Sequence, residues 1–138
     1  MSKKPLVRVR EVMKKNFDLV DGMATVAEAL DTMRHVDTKS LIVRKRHPHD
    51  EYGVVIISDI ARLVLAQDRA ADRVNIYEIM SKPVITVDPE MDIRYCARLF
   101  TRYDLSRAPV VEGGHVIGIV SLTDMVLKGL RDNLGSFL

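Results

Sequence analysis

One pattern is written twice along this chain. Val9-Arg-Glu-Val-Met13 returns as Ile76-Tyr-Glu-Ile-Met80, 67 positions later. At the same offset Val20-Asp21 matches Val87-Asp88, Val26 matches Ile93, Asp37 matches Asp104 and Val43 matches Val110. The offset then shortens to 65, and Gly53-Val-Val-Ile-Ile-Ser-Asp59 lies over Gly118-Ile-Val-Ser-Leu-Thr-Asp124. This period is too long for a solenoid unit of about 20–50 residues. It fits two small αβ units, each too small to bury a good core alone. Two similar units packed on each other leave clefts, and clefts are where small ligands bind.

Each copy reads as a short lead-in helix followed by strand–helix–strand–strand–helix, a mixed α/β (α+β) fold with repeats at 1–70 and 71–138. The opening strands are Phe17–Val20 and Val84–Val87, the second short because Pro83 and Pro89 bracket it. Thr25, with Glu28 three residues on, predicts a capping box for a helix from Val26 to about Val36. Asp92 predicts the cap of Ile93 to about Tyr103. Leu41–Val43 and Ala108–Val111 are β-branched strands. Glu112-Gly113-Gly114-His115 predicts a tight hairpin turn, and Val116–Ser121 the returning strand. Arg44–Glu51 is the longer, charged turn of the first copy, with Val54–Ile57 returning. Ser58 and Thr123 are expected to cap helices over Asp59–Ala66 and Asp124–Leu134. Ile93, Cys96, Ala97 and Phe100 make one apolar stripe, and Tyr95, Leu99 and Tyr103 a second. A helix apolar on two sides covers two surfaces, its own sheet and either the partner half or a second subunit; the latter is expected, as a homodimer.

Composition excludes more than it assigns. Of 138 residues, 47% are hydrophobic and 29% charged, as in ordinary globular chains. A net charge of +2 makes no case for nucleic acid, although Arg44-Lys45-Arg46 with Lys3, Lys4, Lys14 and Lys15 form basic segments. One cysteine excludes an internal disulfide framework and fits the cytoplasm. The first residues lack the apolar run of a signal peptide. No apolar run reaches membrane-spanning length. His47-Pro48-His49-Asp50-Glu51 carries metal-capable groups on a Pro-containing turn, a poor preorganised site, and no metal is expected. No catalytic constellation or glycine-rich phosphate loop stands out, so an enzyme is not expected.

The doubled order, with Gly-h-h-x-x-(Ser/Thr)-Asp closing each copy (h apolar), resembles the cystathionine-β-synthase (CBS) domain. The matching pieces are Val12-Met13 and Ile79-Met80-Ser81-Lys82-Pro83-Val84, Thr25–Leu30, Ser106–Val111 and Gly118–Asp124. Two such βαββα repeats in tandem, related by a pseudo-twofold axis, make a Bateman module. The resemblance implies a regulatory module that binds an adenosine-containing ligand between the repeats: AMP, ADP or ATP, with S-adenosylmethionine or NAD as further options. It implies an adenine nucleotide as regulatory ligand, no catalytic cofactor, and output through an effector protein.

By that resemblance Asp124 and Asp59 are ribose ligands, since a carboxylate can accept two hydrogen bonds from a cis-diol. Thr123, Ser58, Arg107, Ser106, Lys39 and Ser40 are phosphate candidates, through hydroxyls, cations and helix N-termini. Val84, Ile85, Thr86, Asp18 and Leu19 match the backbone that reads the base edge. Pro109, Ile119, Met23 and Ile42 are candidate pocket walls. The first copy departs from the pattern: it has Ile42 in place of Pro109, and Gly22-Met23 in place of Pro89-Glu90. Either one site is therefore degenerate or the two sites differ in affinity. The competing reading is a ligand-free interaction module, and a nucleic-acid module on the basic segments is a third.

Overall fold

The structure is a computed structural model and describes residues 6–138. Lys3 and Lys4 of the basic segments lie outside the described residues. Two compact units form. One takes residues 6–15 with Ile85–Leu138, the other Asn16–Val84. The sequence repeats at 1–70 and 71–138 are grouped by likeness, the units by packing. The difference is that each lead-in segment packs with the strands of the other repeat.

In the unit of 16–84 the chain forms β1 (Leu19–Val20), α2 (Val26–Thr32), β2 (Ser40–Val43), β3 (Gly53–Ile56) and α3 (Ile57–Ile60). A wider, π-type stretch over Ala61–Leu65 continues α3. The sheet order is β1-β2-β3, with β1 parallel and β3 antiparallel to β2. All of β2 is buried, as befits the central strand of a covered sheet. In the other unit, α1 (Val9–Val12) precedes α4 (Ile93–Tyr103), the hairpin β4 (Arg107–Glu112) and β5 (His115–Ser121), and α5 (Leu122–Asp124). A π-type stretch, Met125–Leu130, and a 3₁₀ segment, Arg131–Phe137, follow α5. Gly113 and Gly114 take φ of 59° and 80°, the left-handed pair that a two-residue hairpin turn requires. The expected strand 84–87 shrinks to one parallel bridge, Val87 to Val110, next to the proline-bracketed stretch.

Each unit has its own apolar core. Phe100, Cys96 and Ile93 project from α4 onto Val110 and Val120 in one. Val26 and Ala29 project from α2 onto Leu41 and Val55 in the other. The second stripe of α4 is divided: Tyr95 is 63% exposed and Tyr103 54%, while Leu99 packs against the core.

Three local expectations are corrected. Helix α2 stops at Thr32, four residues short of Val36. The carboxylate of Asp18 accepts the backbone N–H groups of Arg34 and His35 at 3.0 and 2.9 Å, which draws the chain out of the helix. The matching position in the second repeat is Ile85, and α4 runs its full length. The Thr25 hydroxyl does cap α2, accepting from the Glu28 N–H at 3.1 Å, but it donates to the Glu28 carboxylate rather than completing a reciprocal box. Finally, neither Ser58 nor Thr123 is a cap. Helix α5 starts two residues earlier than expected, and Ser121 accepts the Asp124 N–H at 3.1 Å. Its counterpart Ile56 has no hydroxyl, so α3 starts without a side-chain cap.

The lead-in segments dock identically in the two units. Lys14 exchanges backbone hydrogen bonds with Ile119 at 2.8 and 2.9 Å, and Ser81 exchanges them with Val54 at 2.9 and 3.0 Å. The glycine that opens each closing motif makes room for this. A Cβ on Gly118 would stand 2.7 Å from the Met13 sulfur and 2.8 Å from the Lys14 carbonyl oxygen. On Gly53 it would stand 2.9 Å from the Met80 sulfur and 3.3 Å from the Ser81 carbonyl oxygen. The repeated Met and the repeated Gly are therefore two sides of one contact.

Candidate functional site

In the unit carrying Asp124, the β4–β5 pair delivers the predicted residues to one corner. Strand β5 runs straight into α5, so Asp124 sits in the first helical turn with its backbone N–H capped by Ser121. Arg107, at the start of β4, is the register partner of Ser121. The Leu122 N–H donates to the Ser106 carbonyl at 3.0 Å and ties the helix start to the strand start. Burial pulls the Arg107 guanidinium below its ordinary value, and the charge of Asp124 opposes that shift. The two groups thus act on each other across the corner. Ser106 and Thr123 are exposed. Ile85 and Thr86 lead into Val87, whose N–H donates to the Pro109 carbonyl at 3.0 Å. Pro109 and Ile119 are register partners and buried, so their side chains wall the sheet rather than an open surface.

The Asp124 carboxylate is already occupied. It is 6% exposed, and both its oxygens accept from the Lys14 ammonium, at 2.7 and 2.8 Å. The Lys128 ammonium lies 3.8 Å away. Sequence reasoning placed Lys14 only among basic surface residues. The signal was present: Met13 and Met80 recur with Gly118 and Gly53, and Lys14 follows the first of these methionines.

The matching corner of the other unit has the same backbone frame. The Ile57 N–H donates to the Lys39 carbonyl at 3.0 Å, as Leu122 does to Ser106. Its side chains differ. Asp59 is 18% exposed and pairs with Arg62 one helical turn on. Ser81 stands where Lys14 would. Ser58 and Lys39 are exposed, and Lys39 takes a left-handed φ of 55°. Ser40 is buried and donates to the Thr38 carbonyl at 3.2 Å. Leu19 pairs with Ile42, the Asp18 carbonyl accepts from the Ile42 N–H, and Val84 is half-buried near the end of this unit. Met23 is not brought to this corner. It lies beside Val43, at the opposite end of β2 from Ser40, and lines a cavity of about 650 Å³.

Among the described residues no group of three or more metal-capable side chains converges, and no helix is long and apolar enough to cross a membrane. His47, Pro48 and His49 are exposed on the β2–β3 turn.

Comparison with known proteins adds the following. The family model described as CBS domain matches residues 9–66 and again 76–130. An uncharacterised protein of Methanopyrus kandleri is 28% identical over 121 residues, covering 87% of this chain and 61% of that relative. An uncharacterised protein of Methanocaldococcus jannaschii is 25% identical and is covered over 62% of its length. The chain thus spans about three fifths of these two relatives. CBS domain-containing protein YhcV of Bacillus subtilis is 24% identical, with 94% of this chain and 91% of YhcV covered. Among solved structures, the hexameric CBS-CP12 protein from bloom-forming cyanobacteria superposes with a TM-score of 0.86 at 37% identity, over 92% of this chain and 74% of that one. The CBS domain pair of protein MJ0100, in complex with 5′-methylthioadenosine and S-adenosyl-L-methionine, gives a TM-score of 0.74 at 26% identity, over 89% and 95%.

Proposed function

The chain belongs to the CBS-domain family, and from that premise we propose a regulatory, non-enzymatic module that binds an adenosine-containing ligand at the Asp124 corner. An adenine nucleotide is the first choice, with S-adenosylmethionine and NAD as further options. The observation that carries this reading is that Asp124 and Arg107 stand at the joined starts of α5 and β4, tied by the Leu122 N–H to Ser106 carbonyl bond. A carboxylate accepts a ribose diol, and a guanidinium beside it takes phosphate in a bidentate way. The exposed hydroxyls of Ser106 and Thr123 supply neutral donors, and the backbone at Ile85 and Thr86 meets the base. The ligands bound by the MJ0100 pair support the adenosine part of the reading.

Lys14 gives the module its switch. The ribose hydroxyls and the Lys14 ammonium seek the same carboxylate oxygens. Binding therefore releases Lys14 and loosens the lead-in segment that Lys14 anchors. A ligand shifts a two-state balance only by its differential affinity for the states, and this exchange supplies the difference. An effector protein reads the result. The exposed Tyr95 and Tyr103, with half-buried Leu99 between them, fit a homodimer contact, and the reducing cytoplasm suits the single cysteine. The second reading, a ligand-free interaction module, is favoured by the first corner, where Asp59 is spoken for by Arg62 and Ser40 turns inward.

Thermal unfolding with AMP, ADP, ATP, S-adenosylmethionine and NAD separates the readings. A ligand at ~100 times its dissociation constant adds ~2.7 kcal/mol to the native state. That raises the midpoint on the order of 3–6 °C. A shift with one compound that is lost in Asp124→Ala supports the proposal. No shift with any of them transfers the function to protein interaction.

A further inference from the structure

The cavity beside Val43 has an internal control, because the same backbone frame occurs in the other unit. The Tyr77 N–H donates to the Gly22 carbonyl at 2.9 Å, and the Arg10 N–H donates to the Pro89 carbonyl at 2.8 Å. By the 67-residue offset Tyr77 corresponds to Arg10, Met23 to Glu90 and Lys45 to Glu112. In the unit carrying Asp124, these positions are bridged. Arg10 pairs with Glu90 at 2.9 Å and with Glu112. In the other unit, the same three places hold an aromatic ring, a thioether and an ammonium, which cannot bridge in that way. A cavity of about 650 Å³ stands there. The two repeats thus share this backbone frame and differ in the side chains set on it.

Its lining is specific in charge and shape. Arg44, Lys45, Arg46 and Lys82 line it against a single carboxylate, Asp21, whose oxygen is committed to the Met23 N–H at 2.8 Å. Asp50, 7% exposed, holds Arg46 at 3.0 Å and Lys82 at 2.9 Å. One carboxylate thus keeps two cations together, and the cluster remains positive. Met23 is 71% exposed and Tyr77 50%, yet neither sits on a loose loop. The Asn75 amide donates to the Met23 carbonyl at 2.7 Å, and the Ile76 N–H donates to the Ala24 carbonyl at 2.9 Å. A ring and a thioether on anchored backbone, lining one cavity with a cationic wall, form a surface for a flat apolar group attached to an anion. The volume lies in the range of small-ligand sites, about 300–1,000 Å³.

We propose that this cavity is a second ligand site, distinct from the Asp124 corner, that takes a nucleotide-sized phosphorylated compound with a flat ring. Arg44 and Lys45 meet the phosphates, and Tyr77 with Met23 receives the ring. The basic turn Arg44-Lys45-Arg46 then has a use that the Asp124 corner does not give it.

Methyl NMR of the full chain labelled at methionine reads the two sites apart. Met23 and Met80 line the cavity, whereas Met13 and Met125 belong to the unit of Asp124. Titration with ATP is expected to move the Met23 and Met80 methyls. Arg44→Ser with Lys45→Ser should weaken that response about tenfold and leave any response at Met13 as it was. A closing variant, Met23→Glu with Lys45→Glu and Tyr77→Arg, copies the bridge that the sister frame already accommodates, and should abolish the Met80 response in a folded protein. Methyls at Met23 and Met80 that stay still through millimolar ATP overturn the proposal. So does a Met80 response that survives the closing variant, or a Met23 shift that follows protein concentration instead of ATP, which would mark a contact between copies. An equal response to inorganic tripolyphosphate overturns the role of the ring. Loss of the Asp124 site alone leaves the Met23 response standing, so the two proposals fail separately.

Discussion

The corners at Asp124 and Asp59 share a backbone frame and differ in what holds the carboxylate. Lys14 reaches Asp124 from the lead-in segment, so that corner is cross-linked over a distance of 110 residues in sequence. Asp59 finds its partner three residues away on its own helix. A distant partner couples the carboxylate to tertiary packing, while a local partner couples it only to a turn of helix. The lesson is that the aspartate alone does not make a switch in this fold. The residue that follows the lead-in methionine decides, and the repeats differ there as Lys14 against Ser81.

The largest expected effect comes from removing that difference. Lys14→Met takes the nearest cation from a buried carboxylate, and should destabilise the chain by about 3 kcal/mol. Arg62→Ala, at an exposed pair, should change stability by less than about 0.5 kcal/mol. Urea unfolding of both variants checks the contrast, and equal losses would erase it. Restoring balance with Asp124→Asn in the Lys14→Met background should recover part of the loss, since the uncompensated charge is gone.

The docking glycines sharpen the comparison next. Gly118→Ala forces a Cβ against the Lys14 carbonyl, a backbone atom that cannot rotate away, and should cost about 2–3 kcal/mol. Gly53→Ala meets chiefly the Met80 thioether, which can move, and should cost about 1 kcal/mol. The reverse order in melting temperature would mean that the two lead-ins do not dock alike.

Acid sensitivity should be unequal as well. Arg46 first, then Lys82, holds the Asp50 carboxyl well below the usual carboxylate range. A lowered native pKa gives stability that is present above the unfolded value near about 4 and lost as pH falls below it. Asp50→Asn should remove that acid-side loss, visible as a flatter dependence of the urea midpoint on pH. The smallest effect concerns Cys96, fully buried against α4's partners, whose thiol burial raises to about 11. It should react with a thiol reagent at mildly alkaline pH only after unfolding; rapid reaction of the native chain would contradict the packing of α4.

Much of this architecture is legible before any coordinates. The repeat announces two equivalent sets of elements, the Gly113-Gly114 pair announces its turn, and Asp92 with the Ile93–Phe100 stripe announces α4. The shortfall of α2 was hidden because a carboxylate outside the helix, on Asp18, competes for its backbone. The position of the α5 cap has a nearer cause: Ser121-x-x-Asp124 is itself a capping pattern and competes with the adjacent Thr123 hydroxyl. The partner of Asp124 was hidden because the contact joins opposite ends of the chain, and periodicity reports only neighbours. The cavity needed both kinds of information. Its basic turn is plain in the sequence, but its walls are brought together from three separate segments.

Calorimetric titration of whichever adenosine compound raises the melting midpoint most, into the parent chain, Lys14→Ala and Asp124→Asn, tests the central claim most directly. If Lys14 holds the carboxylate that the ribose must take, Lys14→Ala binds several-fold tighter and Asp124→Asn loses that binding. Unchanged or weaker binding in Lys14→Ala, together with binding that persists in Asp124→Asn, would contradict the account.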